Sequence, residues 1–467
     1  MNFNNKYLDI IGKLSKESGY DAYIVGGYIR DMLLGLDSND IDILVVGDGI
    51  KFANICADFF NTKLSAVYKN FGTALLNLEN CKIEFASARK ESYAPTSRKP
   101  KITLSDLKDD LSRRDFTVNA LAVSFKNTDK IIDLFDGFEN LNNKILKTPL
   151  DPEKTFEDDP LRMLRAIRFA SVLNFKIEDD TFESIKKMKN RLRENSIVSQ
   201  ERITNEFLLI LSSKIPSYGL RLFQESGIMA LIFPEIEQLA GVEQINEYHH
   251  KDVFNHTLEV VDNISKKSND IWLRLAALLH DIGKPSTKKF VNQSGWTFHG
   301  HEEFGARMIK NIFIRMKLPF NKLDYITKLV RLHLRPIPLA EDIVTDSAIR
   351  RLVVDAGEDL RDLLTLCRAD ITSKNPEKVK TFLNNFDIVE KKIYEVEEKD
   401  KLRNFQSPVK GEEIMEICNL KPSKQVGIIK NKIEEAILEG LIPNDYEAAK
   451  QYLYEIKENI LKSFSSK

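Results

Sequence analysis

Cysteine is scarce in this chain, and its few copies lie far apart. The four are Cys56, Cys81, Cys367 and Cys418, and no two of them form a Cys-x-x-Cys pair. Disulfide frameworks and thiolate zinc sites both depend on suitably spaced cysteines. We therefore expect neither, and we interpret the four thiols as reduced and structural.

Long apolar runs and an excess of charge of one sign are also missing. No uninterrupted apolar stretch reaches the roughly 20 residues that a membrane-spanning helix needs. The segment 1–7 is polar, so we expect neither a signal peptide nor a membrane partner, and we expect a cytoplasmic location. The formal net charge is only -1, so a nucleic-acid partner would need a local basic surface.

Length and pattern predict several domains. A chain of 467 residues exceeds what a single core usually holds. Short β-rich runs at 21–25, 41–46, 74–78 and 82–86 alternate with helical patterns, whereas helical spacing dominates from residue 151 onward. We predict an α/β head with a mixed sheet and helices, followed by an all-α neck, a third helical domain and a helical tail. Breaks near 215–217, 241–249 and 390–403 suggest the boundaries 1–150, 151–240, 241–385 and 386–467.

Two carboxylates open one of the predicted strands. Asp40 and Asp42 flank Ile41, and the period of two along a strand places both side chains on the same face. Such oxygen ligands suit Mg²⁺, which also binds substrate phosphates. Glu84, in the predicted strand 82–86, is a candidate third carboxylate.

A glycine turn precedes these carboxylates. Gly26 and Gly27 end a predicted strand, and Arg30 lies in the helix that follows. Backbone amides at such a turn approach phosphate closely, and the arginine would add a fixed positive charge. The glycine turn alone, or the carboxylate strand alone, fits a solvated hairpin edge. Their combination in one short module favours a catalytic site.

These motifs together resemble a known family. With Asp31 and Gly35, they are similar to the polymerase-beta nucleotidyltransferase superfamily, and more narrowly to its class II branch of CCA-adding enzymes and bacterial poly(A) polymerases. A second block in the same order carries Arg113, Arg114, Asp115, Phe116, Thr117, Asn119 and Ala120. The resemblance implies that Arg114 contacts the incoming nucleotide, although a surface arginine pair is the alternative.

The third block, residues 158–169, is the most informative. We expect Asp159, Arg162 and Arg165 to share a slowly winding face of one helix, with Arg168 turning off it. The donors of Arg162 match the O2 and N3 acceptors of cytosine, and Asp159 can accept from the exocyclic amine of cytosine or adenine. The resemblance assigns this templating role to Asp159 and Arg162, and directs Arg165 and Arg168 toward the phosphates or the neighbouring fold. A charged, solvated helix face is the alternative.

Three further features bear on which nucleotides are added. Asp158 stands where the family often has Glu, which shortens a side chain beside the templating residues. The segment 91–111 resembles the mobile loop that reorients these residues for the final AMP, and enzymes that add only CC shorten it. A long basic C-terminal extension typical of bacterial poly(A) polymerases is missing, which favours CCA addition.

The segment 199–207 resembles the end of the neck and is expected to be structural.

A second constellation lies in the predicted third domain. His256, the adjacent His280 and Asp281, and Asp370 occur in an order that resembles the HD phosphohydrolase superfamily. Imidazole with carboxylate suits a divalent cation such as Mg²⁺, Mn²⁺ or Ni²⁺. The resemblance implies hydrolysis of phosphate or cyclic phosphate at damaged RNA ends, or else a residual scaffold. For His299, His301 and His333 we favour surface or packing roles over a second metal.

The expected function is template-independent addition or repair of the tRNA 3′-terminal CCA from CTP and ATP, with release of pyrophosphate. The alternatives are an enzyme that adds only the A, a poly(A) polymerase, and a catalytically inactive RNA-binding protein. The acceptor end of tRNA would be held through phosphate contacts, and the segment 411–444 resembles the family's tRNA-holding tail. A basic run offers such contacts, with a solvated helix face as an equal alternative: Lys186, Lys187, Lys189, Arg191 and Arg193. The sequence gives no oligomeric state.

Overall fold

The computed structural model describes residues 3, 5–94, 97–194, 197–242, 252–292, 295–336, 345–372, 375–400 and 405–465. The chain divides into two compact units, Met1–Pro234 and Glu235–Lys467. Within the described ranges, no helix combines the length and the apolar character that a membrane crossing requires.

The first unit contains a mixed sheet followed by helices. Its elements are α1 (Lys6–Ser18), β1 (Asp21–Val25), α2 (Gly27–Leu33), β2 (Asp40–Val46), α3 (Gly49–Phe59), β3 (Ala66–Tyr68), β4 (Thr73–Leu78), β5 (Cys81–Ser87), β6 (Arg89–Ala94), β7 (Ser97–Leu104), α4 (Leu107–Ser112), β8 (Ala122–Ser124), β9 (Asn127–Ile132), α5 (Gly137–Asn142), β10 (Ile145–Leu146), α6 (Pro152–Asp158), α7 (Leu161–Leu173), β11 (Lys176–Ile177), α8 (Asp179–Met188), α9 (Gln200–Leu211), α10 (Pro216–Glu225) and α11 (Ile228–Ile232).

The head is built on a seven-stranded sheet in the order β3-β4-β5-β2-β1-β8-β9. Strands β2 and β5 pair in parallel, and the other neighbours in this sheet are antiparallel. The predicted strands 21–25, 41–46, 74–78 and 82–86 all belong to it, which confirms the α/β head. Helices α1 and α3 cover one face, where Ile11, Phe52 and Phe85 form a fully buried core. The apolar packing on this face leaves the carboxylates of β2 on the other.

The neck begins with a break that the sequence analysis did not predict. Helix α6 ends at Asp158, and Asp159 is extended, with φ -142° and ψ 102°. Pro160 causes this break, because a proline disfavours the helical conformation of the residue before it. Asp159 therefore does not share a helix with Arg162, contrary to our expectation. Helix α7 starts after the proline and packs its apolar face against α9 and α10.

The second unit is helical except for one hairpin among the described residues. Its elements are α12 (Pro234–Glu237), which spans the boundary between the units, α13 (Val253–Ser265), α14 (Ile271–Leu279), α15 (Lys284–Thr287), β12 (Lys289–Val291), β13 (Gly295–Thr297), α16 (His301–Met316), α17 (Leu323–Leu332), α18 (Asp346–Ala356), α19 (Leu360–Asp370), α20 (Pro376–Asp400), α21 (Gly411–Cys418), α22 (Lys424–Leu438) and α23 (Tyr446–Ser465).

Helix α20 runs through the place where we expected a break. The break near 390–403 cannot begin before Asp400, and the boundary proposed at 385/386 falls inside this helix. Val389, Ile393 and Val396 are buried at helical spacing, and the intervening Glu and Lys residues are strong helix formers. Residues 401–403 and most of the expected break at 241–249 lie outside the described residues.

Position 137 requires glycine because there is no room for a side chain, not because the backbone conformation is unusual. A Cβ added there would overlap the carbonyl oxygen of Thr117, and backbone cannot move aside as a flexible side chain can. We predict that Gly137→Ala destabilises the protein by about 1–3 kcal/mol through overpacking. The change in Tm by differential scanning calorimetry measures it. Gly427→Ala is the control, because that helical glycine has nothing within 4 Å and should be neutral or stabilised by up to about 1 kcal/mol. Equal losses in both variants would contradict the steric explanation.

Candidate active sites

Three carboxylates lie together on the central strands β2 and β5 of the head sheet, in a group that we call the carboxylate edge. The register pairs Val25 at the end of β1 with Asp42, and pairs Asp42 with Glu84 on the parallel strand β5. Asp40 lies two residues before Asp42 on the same face and is exposed. Burial raises the pKa of Asp42, which Arg114 lowers and Asp40 raises further. Burial and the neighbouring Asp42 likewise raise the pKa of Glu84. A desolvated group of carboxylates of this kind fits a hard divalent cation.

Gly26 allows an arginine to approach these carboxylates. Its φ is +77°, and an added Cβ would lie 2.8 Å from Nη1 of Arg114 and 3.1 Å from Oδ2 of Asp42. The guanidinium of Arg114 donates to Asp110 Oδ2 at 3.4 Å and to the carbonyl of Asn119 at 3.3 Å. Asp110 is fully buried, so the arginine is held beside Asp42 by a group that cannot turn to solvent.

Arg30 has internal partners. Its Nη1 donates to Asn119 Oδ1 at 2.7 Å and its Nε donates to Asp31 at 2.8 Å. The guanidinium also lies 5.1 Å from the centre of the Phe169 ring, and the residue is 8% exposed. Arg30, which the sequence suggested as a phosphate contact beside Gly27, therefore fixes Asn119, whose carbonyl in turn holds Arg114.

A cleft of about 720 Å³ connects these groups with the neck. Its size matches the range of small-molecule sites, roughly 300–1,000 Å³. Carboxylates and arginines from both parts line it: Asp42, Glu84, Arg89, Arg113, Arg114, Asp115, Asp159, Arg162, Arg165 and Arg202. The geometry thus places the expected metal ligand Asp42 and the expected templating residues around one space.

The expected templating pair is held in place by backbone groups. Arg162 Nη2 donates to the carbonyl of Arg113 at 2.6 Å, and its Nη1 lies 3.4 Å from the carbonyl of Thr155. Asp159 Oδ1 accepts from the amide of Leu161 at 3.1 Å. A guanidinium has five N–H donors, so these contacts orient Arg162 while leaving it donors for the edge of a base.

Arg165 connects the neck to the head, whereas Arg168 has its partners within the neck. Arg165 Nε donates to Asp115 at 2.9 Å, and Arg168 Nε lies 2.7 Å from a carboxylate oxygen of Glu206. Burial opposes the charge on Asp115, but Arg165 and Asn119 hold its pKa at about 2. Arg168 packs over Phe169 with its guanidinium carbon 4.0 Å from the ring centre. The sequence left two roles open for these arginines, contact with the phosphates or with the neighbouring fold. Arg168 contacts the neighbouring fold, whereas Arg165 also lines the cleft.

Arg202 is a cleft residue that sequence reasoning missed. It lies on α9, in the segment that we expected to be only structural. The sequence did contain a signal for it, because Arg202 lies four residues before Glu206. This spacing places both side chains on the face of α9 that is directed toward the arginines of α7.

The second unit gathers six ligand-type residues into two adjacent triads. His256, His280 and Asp370 form the first triad, and in each triad the potential ligand atoms lie within 4.8 Å of one another. His256 Nε2 is 2.9 Å from Asp370 Oδ1, and His280 Nε2 is 3.4 Å from the same oxygen. The structure thus brings together the histidines and Asp370 that the HD pattern singled out.

The second triad is Asp281, His301 and His333. His301 Nε2 lies 3.2 Å from Asp281 Oδ1 and 3.4 Å from His333 Nε2. All three residues are buried, which excludes the surface role considered for His301 and His333 but not the packing role, and their position beside Asp281 makes them candidate ligands. His299 is exposed.

Backbone carbonyls orient the imidazoles. In three of these histidines Nδ1 lies 2.7–2.8 Å from the carbonyl oxygen three residues earlier, which directs Nε2 toward the acidic groups. This second contact is typical of metal-ligating histidines. The pairs are His280 with Ala277, His301 with Phe298, and His333 with Val330.

The electrostatics of this cluster fit a divalent cation. Burial opposes charge on His280, but Asp281 and Asp370 raise its pKa to about 10. Burial and the neighbouring His280 lower the pKa of His333 to about 3. His280 Nε2 and Asp281 Oδ2 lie 3.2 Å apart without a hydrogen bond between them, and the ammonium of Lys284 lies 2.7 Å from the same Asp281 oxygen. A buried imidazole beside a buried carboxylate is a donor set that suits a divalent cation.

Comparisons with known proteins identify the families to which parts of both units belong. Residues 22–147 match the family "Poly A polymerase head domain", residues 174–239 match "Probable RNA and SrmB-binding site of polymerase A", and residues 253–375 match "HD domain". An A-adding tRNA nucleotidyltransferase of Deinococcus radiodurans is 31% identical over 73% of this chain and 78% of its own length. A multifunctional CCA protein of Vibrio parahaemolyticus is 32% identical over 75% and 84%. A CC-adding tRNA nucleotidyltransferase of Thermus thermophilus is 28% identical over 93% of both chains.

The fold is also found among solved structures. The Bacillus stearothermophilus CCA-adding enzyme in complex with CTP has a TM-score of 0.71 at 24% identity, covering 99% of this chain and 100% of that one. The carboxylate edge, the arginine-lined cleft and the histidine cluster define a nucleotidyltransferase joined to an HD domain. The chain belongs to the family of CCA-adding tRNA nucleotidyltransferases and poly(A) polymerases.

The low pKa of Asp115 predicts a pH-dependent contribution to stability. A fall from 3.8 to about 2 corresponds to about 2 kcal/mol of stabilisation. Because the folded pKa is depressed, this contribution is present above about pH 4 and is lost as the pH falls toward 2. We predict that Asp115→Asn lowers the local opening free energy of residues 161–173 by about 2 kcal/mol at pH 7. Amide hydrogen exchange measures it.

The difference between the wild type and Asp115→Asn should shrink as the pH is lowered from 4 toward 2. A difference that stays constant over this range would contradict an origin in the carboxylate charge. Asp109→Asn is a comparison variant on the same unit, because Asp109 is not among the groups that shift the pKa of Asp115.

Proposed function

We propose that the first unit adds CMP and AMP to the 3′ end of tRNA, completing or repairing the CCA end and releasing pyrophosphate. The observation that carries this proposal is the single cleft that Asp42, Glu84 and Arg114 share with Asp159 and Arg162. Reacting groups and base-selecting groups surround one nucleotide-sized space, as transfer without a nucleic-acid template requires.

In the proposed mechanism, Asp40 and Asp42 hold Mg²⁺, with Glu84 as a further carboxylate at the same edge. The bound cation would activate the tRNA 3′-hydroxyl and neutralise the triphosphate. Arg114 supplies a fixed positive charge for the phosphates, and Arg165 supplies a second. Asp159 and Arg162 read the Watson–Crick edge of CTP or ATP by hydrogen bonding.

The ability to add A, either in full CCA addition or as the last step alone, is supported by the connection of the 91–111 segment to the templating arginine. The hairpin β6–β7 leads into α4, where Asp110 binds Arg113 and Arg114. The carbonyl of Arg113 in turn accepts from Arg162. A shift of α4 would therefore move Arg162, which provides a physical route by which this segment changes the preference from CTP to ATP. An enzyme that adds only the final A remains the second candidate.

The first test is incorporation of labelled CTP and ATP on tRNAs that end before CCA, after C and after CC. Stepwise addition that stops after one A is the expected result. Extension of only the CC-ended tRNA would indicate an A-adding enzyme, and a growing A tail would indicate a poly(A) polymerase. Asp42→Asn should reduce incorporation more than about 100-fold because it removes a metal ligand. Retained tRNA binding without incorporation by the wild type would contradict the transferase proposal.

We also propose that the histidine cluster is a phosphohydrolase site for 2′-, 3′- or cyclic phosphates at RNA ends, using Mg²⁺, Mn²⁺ or Ni²⁺. The six clustered ligand-type residues, five of them buried, support it. We predict that His301→Ala lowers phosphate release by more than about ten-fold and lowers bound metal per chain, whereas the exposed neighbour His299→Ala changes neither. Phosphate release and elemental analysis measure these effects. Equal behaviour of the two variants would contradict the role of His301.

The remaining parts of the proposal concern the partner, the domains and the compartment. Contacts to tRNA phosphates come from the basic run on and after α8, where surface ion pairs such as Lys186 with Glu183 cost little to exchange for phosphate. The three family matches fall inside the segments 1–150, 151–240 and 241–385. Four buried, unpaired cysteines are consistent with a cytoplasmic location.

A further inference from the structure

A hairpin that follows the HD motif presents aromatic side chains that no role assigned above uses. Strands β12 and β13 pair Phe290 directly with Trp296, so both side chains lie on the same face. Their rings are 5.2 Å apart at an interplanar angle of 72°. Phe290 is 61% exposed, although a large aromatic ring normally contributes most when buried.

The hairpin is connected to the histidine cluster through Phe298, which follows β13 directly. The carbonyl of Phe298 accepts from the amide of His301 at 3.2 Å and lies 2.8 Å from its Nδ1. Lys284, which lies 2.7 Å from Asp281, is 5.7 Å from the Phe298 ring. The same residues that hold the cluster therefore anchor the hairpin.

Positive charge accompanies the exposed rings. Lys288 places its ammonium 4.2 Å from the ring centre of Trp296, and Lys289 is exposed next to Phe290 on β12. Phe298 lies between Trp296 and His301 in the chain, so a short segment joins the exposed rings to the cluster.

We propose that the face formed by Lys288, Phe290 and Trp296 is a stacking platform for the terminal base of a single-stranded RNA end whose phosphate lies at the histidine cluster. Aromatic rings with adjacent cations bind single-stranded nucleic acid without reading its sequence, because every base has a π-face. This inference rests on the proposed phosphohydrolase and adds to it a contact with the base of the substrate. Bases of any sequence would be accepted, as repair of varied ends requires.

The first measurement uses the two tryptophans of the chain, Trp272 and Trp296. In the full-length, metal-loaded Trp272→Phe protein, Trp296 is the only indole. Rapid mixing with adenosine 2′-phosphate should change its fluorescence before hydrolysis occurs, whereas glycerol 2-phosphate, an ester without a base, should not. Adding Phe290→Ala should weaken the adenosine 2′-phosphate titration by at least about five-fold, the low end for loss of one stacked base. An unchanged Trp296 signal with adenosine 2′-phosphate would overturn the platform.

The second measurement compares hydrolysis of the same two esters. In Phe290→Ala the ratio of kcat/KM for adenosine 2′-phosphate to that for glycerol 2-phosphate should fall at least about five-fold. Phe320→Ala is the matched control, since Phe320 is 56% exposed in the same unit and should leave the ratio unchanged. An unchanged ratio in Phe290→Ala overturns the platform. If the wild type hydrolyses neither ester, the phosphohydrolase proposal fails for these substrates, and the fluorescence titration still decides whether the face binds a base. The melting temperatures of the variants show that the fold is retained.

Discussion

The buried ion pair between Asp115 and Arg165 joins the sheet-bearing part of the first unit to the helix that carries its arginines. Asp115 is 8% exposed and also binds Asn119, which is fixed in turn by Arg30. Removing one partner of such a pair leaves the other charge partly desolvated, which is why buried pairs hold their geometry so strictly. The position of Arg162 relative to Asp42 depends on this connection, and base selection depends on that position.

Arginines in this unit serve two different purposes, although they look alike in the sequence. Arg30 and Arg168 are consumed by internal contacts, whereas Arg114, Arg162 and Arg165 keep part of their guanidinium in the cleft. Arginines of the first kind fix the distances between the elements of the site, and arginines of the second kind are placed to contact the bound nucleotide. A planar fork with five donors suits both purposes, because some donors can bind the protein while others remain for a substrate.

The histidine cluster follows a related logic in the second unit. Each of three imidazoles uses one nitrogen on a carbonyl of its own chain segment, so the other nitrogen points into the cluster without any support from distant residues. Local structure thus orients these three ligands, whereas His256 Nδ1 contacts the hydroxyl of Thr372, which lies far away in the chain. The hairpin that carries Phe290 lies next to this cluster in the chain. A short stretch of chain therefore links the proposed substrate contact to the proposed metal site.

Much of this protein was determined by its sequence alone. The alternation around Asp40 and Asp42, the glycine turn and the order of the blocks predicted the α/β head, the carboxylate edge and the family, because these features depend on neighbours within a few residues. The prediction that one helix carries both Asp159 and the arginines after it was wrong, because the local effect of Pro160 outweighed the periodic pattern. The break expected before Asp400 was wrong because buried Val389, Ile393 and Val396 continue the helix. Only the tertiary structure decided that Arg30 faces Asn119, that Arg202 lines the cleft, and that His301 and His333 join Asp281. These contacts connect residues that lie far apart in the chain, and no local spacing encodes which distant side chains will meet.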